Sequence, residues 1–233
     1  MNIFTVTPVG PATMPGHLEQ CINSVAAQTL PEGATLTHLL VFDCSLADAC
    51  FPFGDFPPGV RWMSLPANVG DIGSTPRTVG VSYAWGAGAD ALTFLDADCA
   101  YLPDHVGRLL DYSSKTEKPI ACSGRLISDY AGKLTERCQE ITPQGSGTPF
   151  HDTNTFLFTR AALGISYTFG TLTGRAEHLI GDRILTERAL PFLACHYHPT
   201  VIYRSLHRFH YDAFGWPRPQ GLELKDIAVE QTS

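Results

Sequence analysis

The chain lacks any apolar run long enough for a membrane span, and it carries no internal repeat or low-complexity tract. Its N-terminus shows no basic region followed by an apolar one, so no leader is predicted, and Asn2 to Val9 read instead as a first strand. Basic residues are scarce: 16 Lys and Arg stand against 23 Asp and Glu, for a net charge of −7. That balance argues against a nucleic-acid partner held mainly through phosphate contacts. An anionic small molecule stays compatible where a cation or local arginines offset the repulsion. No C-x-x-C pair occurs among seven cysteines, an odd number. This fits free thiols in a reducing cytoplasm better than a disulfide framework, and Cys99, beside two acids, reads as a small space-filling residue. What is present is 44% hydrophobic and 17% charged residues over 233 positions, enough for one α/β domain with a substantial core.

The order of elements points to the fold. Ile3 to Thr7 read as a strand, and Leu18, Cys21, Ile22, Val25 and Ala26 recur at helical spacing. Leu36 to Phe42 form a second strand ending at Asp43. Residues 44–59, rich in Pro, Gly and Phe, make a loop. Val60 to Leu65 give a third strand, and Thr75 to Trp85 a helix that tolerates Pro76 in its first turn. An apolar strand at 91–95 and a helix over Pro103 to Tyr112 follow. Strand and helix alternating in this way predict a doubly wound, mostly parallel sheet with right-handed crossovers. The second half is less regular. Strands are expected at Pro119 to Ile127, Thr153 to Thr159 and Ala194 to Tyr203, a helix at Glu177 to Leu190, and a loop at 142–149.

The most informative stretch is Ala91-Leu92-Thr93-Phe94-Leu95-Asp96-Ala97-Asp98-Cys99, an apolar run ending in two carboxylates spaced i, i+2. Ligands of open α/β sheets bind beyond the carboxyl ends of the strands. Two acids placed there suit Mg²⁺ or Mn²⁺, which prefer oxygen, take one or two protein carboxylates and leave their remaining positions to water and phosphate. The plainer alternative is that Asp96 ends the strand and Asp98 caps the next helix.

Several ordered motifs resemble those of the inverting family 2 glycosyltransferases of the GT-A fold. Val6-Thr7-Pro8-Val9 matches the family's first strand end, and Ser24-Val25-Ala26-Ala27-Gln28 its Ser-x-x-x-Gln helix. Phe42-Asp43-Cys44-Ser45 matches Asp-Asp-Gly-Ser with Phe42 in place of the first acid. Asn68-Val69-Gly70 and Pro76-Arg77-Thr78-Val79-Gly80 match the Asn-x-Gly turn and the Ala-Arg-Asn-x-Gly helix start. Leu95-Asp96-Ala97-Asp98 matches the metal motif. The likeness covers about the first 110 residues, in order. It implies a single GT-A-like domain over 1–213, with a nucleotide-binding half at 1–112, an acceptor half at 113–213 and a C-terminal tail at 214–233.

The resemblance further implies a hexosyltransferase-type enzyme whose donor is a nucleotide-diphosphate sugar, UDP being the family's commonest nucleotide. Asp43 would meet the base or ribose, with an Asx cap as the alternative. Thr7 and Pro8 would line the base through their backbone, and Arg77 would offer its planar fork to a uracil edge or phosphate. Asp96, followed by Ala97, would hold the ribose or reach the metal through water, and Asp98 would ligate Mn²⁺ or Mg²⁺ directly. The family's general base maps to Asp182 in Leu179-Ile180-Gly181-Asp182, where Gly181 replaces the first acid of the family's Glu-Asp pair; an ion pair with Arg183 or Arg188 or a helix-end role is the alternative for Asp182, and Glu177 is the fallback base. Its late metal-binding histidine maps to His207, then His210, among the four at 196, 198, 207 and 210. Asp152, in His151-Asp152-Thr153-Asn154, could line an acceptor cleft or make a turn, and Asp71 could help close the donor pocket, a surface turn being its plainer reading. The acceptor carries a hydroxyl. A cytoplasmic protein is expected, with peripheral membrane contact and oligomerisation left open.

A nucleotidyltransferase is disfavoured because Gly10 to Gly16 holds no basic residue. A metal-dependent hydrolase built on the late histidines and a catalytically silent nucleotide-sugar-binding module remain as alternatives.

Overall fold

Strand β1 (Asn2–Val9) is buried on both faces, and its alternation sorts the two layers around it. Ile3 packs with Cys21 and Val25, while Phe4 and Val6 pack on the opposite side with Val81, Ala84 and Trp85. The polar residues of β1 are satisfied inside: Thr5 Oγ1 meets Thr93 Oγ1 at 2.8 Å, and Thr7 Oγ1 meets His38 Nε2 at 2.8 Å. The computed structural model describes residues 1–44, 56–140, 151–172 and 181–225.

Parallel partners flank β1: β2 (Thr35–Phe42) on one side, with β3 (Val60–Ser64) beyond it, and β4 (Ala91–Phe94) on the other. Helix α1 (Pro15–Ala26) buries Leu18, Cys21, Ile22 and Val25 on one face of the sheet. Helix α2 (Ser74–Gly86) covers the other face and carries the chain from β3 across to β4. A Cβ on Gly80 would sit 2.3 Å from Val6 Cγ1, so glycine is what lets α2 approach β1. Asp71 caps this helix, accepting from Thr75 N–H (3.1 and 2.9 Å) and Thr75 Oγ1 (2.6 Å). Strand order therefore reverses between β1 and β4, where an open α/β sheet forms its crevice.

The parallel sense predicted for the sheet holds for these strands and changes beyond them. In the order β3-β2-β1-β4-β8-β6-β9-β5, strand β8 (Phe156–Thr159) runs antiparallel to both β4 and β6 (Ile120–Ser128). Strand β9 (Leu193–Arg204) returns parallel to β6, while β5 (Ala100–Tyr101) and β7 (Leu134–Glu140) pair antiparallel with β9 and β6. Helix α3 (His105–Thr116) lies with α1, burying Val106, Leu109 and Leu110. The back half adds α4 (Leu163–Ser166), α5 (Gly181–Ala189) and α6 (Arg208–Phe214).

Strand β5 escapes sequence reading because it has two residues and a partner about a hundred positions away, and strand β7 because its charged sequence carries no apolar strand pattern. The strand expected from Thr153 starts at Phe156. Residues Thr153–Thr155 form a 3₁₀ turn because the Asp152 side chain accepts from Asn154 N–H at 2.9 Å. Part of the tail folds back: Lys225 N–H donates to Leu206 O (2.8 Å), Arg208 N–H donates to Lys225 O (2.9 Å), and Leu224 is buried. The expected 142–149 loop and the start of the Glu177 helix lie outside the described residues.

Candidate active site

The crevice between β1 and β4 is built on one row of polar contacts. Arg77, in the first turn of α2, pairs with Asp96, two residues past β4, and donates from Nη1 to Ile72 O at 2.9 Å. Asp96 N–H donates to Asn154 Oδ1 (2.5 Å), and Asn154 Nδ2 donates to Asp96 Oδ2 (3.1 Å) and Asp152 Oδ1 (2.6 Å). Asp152 in turn pairs with Arg125 of β6, whose guanidinium lies 4.3 Å from the Tyr203 ring centroid. Two ion pairs, joined acid to acid through the Asn154 amide, fix each carboxylate's orientation.

Backbone strain supports the row at one end. Ile72, a β-branched residue, has φ of 53° and supplies the carbonyl that holds Arg77. Gly73 follows with φ of 80°, and a Cβ there would lie 2.8 Å from Arg77 Nη1 and 3.0 Å from Pro8 Cβ. This places Pro8 beside the guanidinium. Arg77 is buried, with its Cζ 5.0 Å from the Phe169 ring centroid, and its Nε has no hydrogen-bond partner among the described residues. The two bonds to Ile72 O and Asp96 leave further N–H donors of the guanidinium for an anionic or carbonyl-bearing ligand.

Arg77, Asp96, Asp152, Phe169, Asp182 and Tyr203 share a cavity of about 140 Å³. Two acids of this region hold their protons unusually late. Burial, reinforced by the charge of Asp152, raises Asp182 to about 6. Burial, reinforced by the charge of Asp96, raises Asp98 to about 6, while Lys225 of the returning tail acts in the opposite sense. A protein-held acid near 6 suits proton transfer at neutral pH.

Other residues singled out in the sequence lie elsewhere. The Thr7 side chain is sealed against His38, and Ala97 packs with Val9 and Phe42, so both leave only main chain for a ligand. Asp43 closes the Asn68-Val69-Gly70 turn: its oxygens accept from Val69 N–H (2.8 Å) and Gly70 N–H (3.2 Å). Asp43 keeps lone pairs beyond these two bonds. Asp71 caps α2, in keeping with the turn role, the plainer of its two readings. Asp152 both caps its turn and faces the cavity.

His207 follows β9, its ring 6.5 Å from that of Tyr203, and its N–H donates to Ser205 Oγ at 3.0 Å. His210 Nδ1 shares that hydroxyl at 2.6 Å. His196 and His198 lie in the first half of β9, His196 against Tyr112. Among the described residues, no cluster joins these histidines to the acids in a three-ligand group. Glu177 lies outside the described residues.

Arg125, Phe169 and Tyr203 escaped sequence reading. A charge inside the otherwise apolar run Ile120–Ser128 is the signal for Arg125, since an arginine is seldom buried unless paired. Phe169 and Tyr203 carry no comparable signal.

In solved structures, the 1–349 fragment of S. aureus TarS in complex with UDP superposes with a TM-score of 0.61 at 14% identity, covering 88% of this chain and 60% of that one. The same fragment with UDP-GlcNAc gives 0.60 at 14%, covering 88% and 59%. The chain thus spans about 60% of that fragment's length and shares its fold. No curated protein matches the chain in sequence. No helix among the described residues is long and apolar enough to cross a membrane. Residues 15–179 match glycosyl transferase family 2, so with the Arg77–Asp96 crevice at the sheet's switch point, the chain belongs to that family.

Proposed function

We propose that the chain transfers a sugar from a nucleoside-diphosphate donor, UDP-linked, to a hydroxyl acceptor with inversion, Asp182 serving as general base. The observation that carries this reading is the shared cavity. An acid raised to about 6 stands in the same 140 Å³ space as the Arg77–Asp96 pair. Support for UDP comes from the TarS complexes with UDP and UDP-GlcNAc.

Arg77, oriented by Asp96 and Ile72 at the cavity wall, would offer its remaining N–H donors to the diphosphate or base. Pro8 and the main chain of Thr7 and Ala97 border the nucleotide. Asp43 shapes that border by holding the 68–70 turn. Asp98 and Asp96 would hold a divalent cation, Mn²⁺ or Mg²⁺, with His207 as the late ligand from the 205–210 segment. The donor set fits: the two acids are close enough for one to raise the other, and such cations need only one or two carboxylates. Bound there, the cation supplies charge compensation for the departing diphosphate. Asp182 takes the acceptor's proton as its oxygen attacks the anomeric carbon, and Asp152, held by Arg125, keeps Asp182 basic.

Incubation with UDP-sugars and Mn²⁺, followed by release of UDP and the configuration of the product, tests the reading. Asp182→Asn should lower kcat by about 10²- to 10⁴-fold while UDP binding stays within a few-fold. Nucleotide binding without diphosphate release by the wild type would instead mark a silent binding module.

A further inference from the structure

Cys122 of β6 and Cys195 of β9 are register partners on adjacent parallel strands, so their side chains leave the same face of the sheet. His151, 29 and 44 positions away in sequence, is brought onto both sulfurs. The two Sγ atoms are 3.4 Å apart and unbonded, Nε2 lies 3.5 Å from Cys195 Sγ and 3.9 Å from Cys122 Sγ, and Nδ1 lies 3.4 Å from Cys122 Sγ. Among the described residues these sulfurs are the imidazole's only hydrogen-bonding partners. The ring is otherwise packed edge-on against Phe156 at 5.9 Å, and the His151 N–H is tied to Thr186 Oγ1 at 3.1 Å. Cys122 and His151 are buried, and Cys195 is partly open.

We propose that Cys122, Cys195 and His151 form a binding site for a soft, thiolate-preferring cation, zinc(II) or copper(I), separate from the carboxylate crevice. The dimensions fit. Around a tetrahedral zinc with sulfur at about 2.3 Å and nitrogen at about 2.0 Å, ligand atoms stand roughly 3.6 to 3.8 Å from one another. The observed separations of 3.4, 3.5 and 3.9 Å need only small side-chain adjustments. The ligand set selects its metal: two sulfurs and an imidazole favour zinc or copper(I), whereas the oxygens of Asp96 and Asp98 favour magnesium or manganese. The charge balances as well. Two thiols release two protons on binding zinc(II), and the neutral bis-thiolate is tolerated in a buried place. The partly open side at Cys195 leaves a fourth position for water or an outside ligand. The metal would tie β6 and β9 to the residue preceding Asp152, and so steady the turn that carries Asp152 and Asn154.

The test uses the full chain, reduced and freed of metal, with no nucleotide present, so its outcome is independent of the glycosyl-transfer reading. Cobalt(II) serves as the optical probe for zinc, and zinc(II) and copper(I) are titrated separately. The expected result is one equivalent per chain, a sulfur-to-cobalt charge-transfer band, a melting point raised by several degrees, and zinc protection of Cys195 from alkylation. Cys195→Ser should lose the band and bind at least about 100-fold more weakly, since a direct ligand outweighs the supporting partners whose loss costs 10- to 100-fold. Should that variant fail to fold, protection from alkylation in the wild type decides. Whichever metal the chain retains at equal free concentration identifies the cation. Unchanged spectra and unprotected thiols overturn the proposal, as does a Cys122–Cys195 disulfide whose reduction yields no metal binding.

Discussion

Asp182 carries two opposed demands. Its carboxyl is raised from 3.8 to about 6, first by burial and then by the charge of Asp152. A raised acid contributes stability that is full below the unfolded value and is lost as pH climbs through the folded one. At neutral pH the ionised group therefore works against folding while being the form a general base requires. Asp182→Asn should be more stable than the wild type at pH 7.5, by about 1–3 kcal/mol, and equal to it near pH 4. Denaturant titrations at the two pH values check this. In the wild type, kcat/KM should fall at least about tenfold per pH unit below roughly 6, and the variant's residual rate should fall less steeply, the remaining slope coming from Asp98. Arg77→Lys would keep the charge but lose the fork that spans Asp96 and Ile72 O. The donor KM is expected to rise at least ~10-fold, read in initial-rate assays, with the melting point lowered as well.

At the scale of elements, the crevice depends on how closely α2 lies on β1. Gly80 permits that approach, because a Cβ would meet Val6 Cγ1 at 2.3 Å. Gly80→Ala should cost about 1–3 kcal/mol by overpacking, read as a shift in denaturant midpoint. It should also weaken nucleotide binding, since the displaced helix carries Arg77. The motif of which Gly80 is the last residue was readable as a helix start, and its register in the sheet follows from simple alternation on β1. By contrast, the short turn at Thr153–Thr155 was read as strand, because the capping of Asn154 by Asp152 outweighs the β preference of the threonines.

Over the whole molecule, the returning tail joins distant parts of the site. Trp216 packs 5.3 Å from the Tyr211 ring, and Lys225 bridges Leu206 and Arg208, bracketing His207. Removal of residues 216–233 should lower the melting point by several degrees and raise the metal and donor requirements together, measured by calorimetry and by titration of Mn²⁺ with UDP.

The sequence by itself determined the front of this protein. Apolar alternation, Gly and Pro punctuation and the ordered motifs from Val6 to Asp98 are local signals, and local signals place β1, α1, β2, β3, α2 and β4 in a parallel sheet with acids at its rim. Only the tertiary structure decided who meets those acids. Asn154, Asp152 and Arg125 reach Asp96 across 58 positions or through one another, and Cys122, His151 and Cys195 converge across 29 to 73. Such contacts come from antiparallel β8 and parallel β9 closing on β6, a pairing fixed by burial of whole strands and encoded in no short run of residues.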